Sequence, residues 1–133
     1  MKCKGLKMML LAFVFLVLVN GSVQATGQLE GCTPGFWKNH LDAWQGYAPD
    51  DSFAVVFGVP YEKTLLEALE AGGGGENALG RHAVAALLNA QQLSYRWDTD
   101  EVGTKVRYAY RNGAFEEIKD VFEEFNEQYC PLD

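Results

Sequence analysis

Positive charge is scarce in this chain: 11 lysines and arginines face 18 aspartates and glutamates, for a net charge of −7. That balance repels phosphate backbones and anionic headgroups, which speaks against nucleic-acid binding. Histidine is scarcer still, with two, and there are three cysteines. The two histidines show no His-x-x-x-His spacing, and neither Ser52 nor Ser94 sits in a Gly-x-Ser-x-Gly elbow. No catalytic residue and no metal ligand is therefore assigned, and no cofactor is expected. Long apolar runs are limited to one, residues 8–19. As a helix it would rise only about 18 Å, against a hydrocarbon core of roughly 30 Å. Repeats are missing, and the one low-complexity stretch is Gly72–Gly75.

What the N-terminus does contain is an export pattern. Lys2, Lys4 and Lys7 precede the apolar run, Asn20–Ser22 breaks it, and Val23-Gln24-Ala25 supplies small residues for cleavage. The expectation is a signal peptide over residues 1–25 and a mature chain starting at Thr26. Stable membrane insertion after cleavage is not expected. Leu29-Glu30-Gly31-Cys32 only superficially resembles a lipoprotein box, because a polar stretch separates it from the apolar run. Cleavage removes three lysines and Cys3, so residues 26–133 are more acidic still and keep two cysteines, Cys32 and Cys130. In an exported protein these two most simply pair.

Residues 26–133 read as an all-α fold, a single compact domain of about five helices tied by that N-to-C-terminal disulfide. Thr33-Pro34 starts the first helix, with Trp37, Leu41 and Trp44 on one face and Gly46 ending it. Phe53–Phe57 fits either a strand or one helical turn. Thr64 and Glu67 form a capping box. Residues 77–91 predict a central helix that is apolar or small nearly all round, with alanines that let neighbours approach. Asp98, with Glu101 three residues later, caps the next helix, which carries Val102, Val106 and Ala109. The last helix places Phe115, Ile118, Phe122, Phe125 and Tyr129 on one stripe.

Several fragments mimic known motifs. Gly75–Arg81 has P-loop spacing but lacks the lysine and the Ser/Thr, and reads as a flexible loop between two helices. Residues 98–103 begin like a calcium loop, yet Val102 and Ala109 occupy positions that need oxygen ligands. His40 and His82 flank apolar stripes and read as packed, hydrogen-bonded core residues. Together with Trp37 they form the candidate functional cluster, in which the first helix crosses the central one and brings Trp37 or His40 near His82.

The segment Cys32-Thr33-Pro34-Gly35-Phe36-Trp37-Lys38-Asn39-His40, the later Arg81–Ala90 and the closing Asn126–Leu132 resemble an uncharacterised module of secreted bacterial and archaeal surface proteins. The resemblance implies an exported domain with a terminal disulfide and no activity that can be named. The expected function is a non-enzymatic structural or interaction module of the cell surface, secreted or held outside the cell, whose partner is a cell-envelope protein or glycan. Two rivals stand beside it. One is a small hydrolase of wall glycan or peptide that uses His40, His82 and a carboxylate. The other is a carbohydrate-binding module with exposed Trp or Tyr.

Overall fold

Local capping chemistry starts most of the helices. The computed structural model describes residues 27–133, so the expected signal peptide lies outside the described residues. Helix α1 (Pro34–Asn39) begins where the Thr33 hydroxyl accepts from the Phe36 N–H at 3.1 Å, with Pro34 as the first helical residue. Helix α2 (Phe53–Phe57) resolves the ambiguous segment as helix, because the Ser52 hydroxyl caps Val55 N–H and Gly58 closes the turn. Helix α3 (Leu65–Glu70) carries the Thr64–Glu67 capping box with both reciprocal bonds made. Asp51 O and Lys63 O accept from Leu65 N and Phe53 N, pinning the starts of α2 and α3 side by side.

Helix α4 (Glu76–Gln92) is the centre of the molecule and packs against α1, α3, α5 (Thr99–Asn112) and α6 (Phe115–Asn126). It is buried almost without a break from Ala78 to Asn89, as an all-round apolar helix should be. Asp98 and Glu101 cap α5 reciprocally, at 2.8 and 3.0 Å, so Asp98, the first carboxylate of the segment that resembles a calcium loop, is spent on a backbone N–H group. The described residues form six α-helices and no extended strand, an all-α fold closed by a Cys32–Cys130 disulfide with Cα atoms 4.7 Å apart.

Two expected helices are shorter than their periodicity suggests. Helix α1 stops at Asn39 instead of running to Gly46, and a 3-10 turn follows at Leu41–Ala43. The Trp37 carbonyl, which would accept from Leu41 N in a longer helix, instead accepts from His40 N and from the Trp44 indole N–H at 3.0 Å. Leu41 is consequently exposed and leaves the expected face. Helix α6 stops at Asn126, and Tyr129 lies beyond it, 55% exposed and off the stripe.

The chain ends meet at one pole. Glu30 pairs in parallel with Tyr129, and Gly31 N–H donates to the Tyr129 carbonyl at 2.9 Å. Gly31 has to be glycine, since a Cβ there would collide with the Phe125 carbonyl oxygen. Glu30 also exchanges two bonds with Ser94, so residues 30–32 thread between the α4–α5 connector and the C-terminal segment. The glycine stretch is tied down rather than loose: Arg81 donates to Ala71 O and Gly73 O, and Gly75 N–H donates to Glu116. No described helix is long and apolar enough to cross a membrane.

Candidate functional site

Two asparagines organise the interior next to the disulfide. Asn89 and Asn126 are both fully buried, on α4 and at the last position of α6. The Asn89 Oδ1 accepts from Cys32 N at 2.9 Å and from the Trp37 indole N–H at 3.0 Å. Its Nδ2 donates to Cys32 O at 2.9 Å and to Asn126 Oδ1 at 3.0 Å. Both N–H groups can only donate and Cys32 O can only accept, so the orientation of the Asn89 amide is unambiguous.

That orientation propagates. Asn126 Oδ1 accepts from Asn89 and from the Tyr95 hydroxyl, the latter at 2.6 Å. Its Nδ2 faces the His82 carbonyl at 3.1 Å and His82 Nδ1 at 3.2 Å. An amide nitrogen only donates, so Nδ1 must be the accepting nitrogen and the neutral ring carries its proton on Nε2. Every hydrogen-bonding position of both amides is used. Among the described residues no buried side-chain nitrogen or oxygen lacks a partner.

The network joins Trp37 to His82 through hydrogen bonds of Asn89 and Asn126. Trp37 is fully buried and serves as a donor, while His82 is 9% exposed and serves as an acceptor. His40 stands apart: exposed, its ring stacks on Phe36 with centroids 4.1 Å apart, and Nδ1 bonds Phe36 O at 2.8 Å. His82 has the hydrogen bonds expected of a packed core histidine, whereas the core reading of His40 is overturned: it lies on the surface as the residue that ends α1, and no hydrogen bond links it to His82. The carboxylates nearest in kind, Glu123, Asp120 and Glu116, are gathered around Lys119 at 2.9–3.8 Å. No group of three or more metal-ligating side chains occurs among the described residues.

Comparison with protein families, curated proteins and solved structures returns no match. What the site can do must be read from its own chemistry.

Burial holds His82 below the ordinary imidazole value of 6.5. Glu123 pulls the other way, Lys119 and Arg81 add to the lowering, and Asp120 opposes it. Burial also pushes the Tyr95 phenol far above its usual range, so it stays a donor at all ordinary pH. A protonated His82 would turn Nδ1 into a second donor aimed at Asn126 Nδ2. As pH falls through 6.5 the unfolded chain takes up this proton before the folded one does, so stability declines until folded His82 also protonates. Urea midpoints measured from about pH 7.5 to 5.5 should therefore fall more steeply for wild type than for His82→Ala. That variant should itself cost about 1–3 kcal/mol at neutral pH. Equal slopes for the two proteins would show that His82 is not the group responsible.

The tryptophans offer little free stacking surface. Trp44 is half-buried with its indole N–H on Trp37 O. Trp97 packs edge-on against Tyr95, Phe122 and Phe125, and its ring lies beside the Lys105 ammonium at 4.8 Å and the Arg96 guanidinium at 5.6 Å.

Sequence reasoning missed Asn89, Asn126 and Tyr95. The available signal was a polar residue in a core register: Asn89 interrupts the apolar run of α4, and Asn126 falls one turn after Phe122.

Proposed function

We propose that the chain is an exported, non-enzymatic structural or interaction module of the cell surface, of the kind implied by the resemblance to secreted surface modules. One observation carries this reading: the residues that bear the resemblance are occupied by structural tasks. In the first block Cys32 forms the disulfide, Thr33 and Pro34 start α1, Trp37 donates into the buried network, and His40 stacks on Phe36. In the second, Arg81 closes the glycine loop while His82 and Asn89 join the network. Asn126 and Cys130 complete the same knot from the C-terminal end. A hydrolytic centre needs polar groups free to meet a substrate, and of the two histidines His82 is committed to the network while His40 has one ring nitrogen bonded to Phe36 O.

Expression of the full chain in a bacterial host tests the reading on two counts. Exported material should begin at Thr26, carry no free thiol, and release no fragments from purified cell wall. A protein retained inside the cell with Cys3, Cys32 and Cys130 all as reactive thiols would refute export. Wall turnover that disappears in His40→Ala with the fold intact would establish the hydrolase instead.

A further inference from the structure

We propose that Cys130 is a thiolation site: a small neutral or cationic thiol attacks its sulfur in the folded protein and opens the disulfide from that side alone. Burial makes the two halves of the bridge unequal. Cys32 is 0% exposed, so neither its sulfur nor any other of its atoms meets solvent. Cys130 is only partly buried and lies on the wall of a groove of about 450 Å³ at the pole where the chain ends meet. Exchange proceeds by attack of a thiolate on one sulfur of the pair, and the attacker needs access to that sulfur. Exchange in the folded state is thereby directed to Cys130.

The backbone sharpens the asymmetry. Asn89 grips Cys32 through both its N–H and its carbonyl, each at 2.9 Å, inside the buried network. Cys130 lies beyond the end of α6, in a segment tied back through the Tyr129 carbonyl to Gly31 N–H. Opening the bridge therefore leaves Cys32 anchored and loosens the segment that carries the adduct.

The chemistry is an exchange. A thiolate bonds to Cys130 Sγ, the Cys32–Cys130 bond breaks, and its electron pair leaves on Cys32 Sγ. Burial disfavours a thiolate there, so Cys32 takes up a proton from solvent as it departs. The incoming thiol is oxidised to a mixed disulfide on Cys130, and Cys32 is reduced to a buried thiol. Return attack by Cys32 on Cys130 Sγ expels the thiol and restores the bridge.

Charge in the groove selects the thiol. Thr33, Phe36 and Tyr129 line it beside the carboxylates of Glu127 and Asp133, with no lysine or arginine among the described residues of its wall. That wall repels an anionic thiol and attracts a cationic one. The inference goes beyond the reading as a surface module and does not rest on it.

The folded, oxidised protein is exposed briefly to cysteamine, 2-mercaptoethanol or 3-mercaptopropionate at matched thiolate concentration. Acid quenching, peptic digestion and mass spectrometry then locate the adduct. It should sit on Cys130 in at least about tenfold excess over Cys32, and the opening rate should be nearly unchanged by about 1 M urea. If the bridge opened only after global unfolding, both sulfurs would be modified alike and the rate would climb about tenfold per molar urea. Either result overturns the proposal. Cysteamine should open the bridge about fivefold faster than 3-mercaptopropionate, and Glu127→Gln combined with Asp133→Asn should remove most of that difference. Equal rates for the two thiols on wild type, or an undiminished preference in the double variant, would overturn the assignment of thiol class.

Discussion

Cutting the Cys32–Cys130 cross-link lowers the stability of the domain by about 4–5 kcal/mol, as the chain-entropy account gives for a loop of this length. The bridge spans a sequence separation of 98, so its loss frees nearly the entire described chain in the unfolded state. Small domains hold only about 5–15 kcal/mol in total, so loss of the cross-link removes a large share of the stability. Cys130→Ala isolates the cross-link best: Cys130 is half-buried, and the Cys32 thiol left behind is at ease in an apolar site. Cys32→Ser should cost more, because it adds a hydroxyl at a position with no solvent access. Urea unfolding of wild type with and without dithiothreitol provides the check. Reduced wild type should match Cys130→Ala, and an unchanged midpoint on reduction would contradict the account.

Asn89→Ala should destabilise by at least about 3 kcal/mol, more than an ordinary surface or cap substitution. The variant leaves Cys32 N, Cys32 O and the Trp37 indole N–H without partners in a site with no solvent access. Each orphaned group costs about 1–3 kcal/mol, less whatever an entering water restores. Asn89→Asp keeps both accepted bonds but loses both donated ones, and sets a charge against the Cys32 carbonyl. It too should be severely destabilised at neutral pH. Asn89→Ala and Asn126→Ala should not add, because each removes a partner of the other. A double-mutant cycle by urea unfolding should give a coupling of about 0.5–3 kcal/mol. Strict additivity would mean that the two amides act independently, against the geometry.

Structure encoded within four residues was legible beforehand. The caps at Thr33, Thr64–Glu67 and Asp98–Glu101 depend only on neighbours, and all three form as the spacing requires. Phe53–Phe57 was undecidable because five residues fit either period, and the choice falls to Ser52 and to the distant Lys63 carbonyl. The end of α1 was misjudged for a related reason: the competitor for the Trp37 carbonyl is an indole seven residues on, reaching back from outside the helix. The candidate cluster was half legible. Trp37 and His82 belong to one network, but the amides between them bond across separations of 37, 44, 52 and 57 residues. No local pattern encodes such partners. His40 falls outside the core because α1 ends at Asn39, whereas His82 lies inside the long central helix.

Because the two ends of the described chain meet at one pole and are covalently joined there, the domain has an unusual response to tension. A pull applied through flanking polypeptide enters near Cys32 and leaves near Cys130. The load crosses the sulfur–sulfur bond, and the helices between bear none of it. An oxidised domain placed in a tethered string would therefore act as an inextensible bead. Reduction would expose the intervening chain to the force, with up to about 330 Å of contour to release.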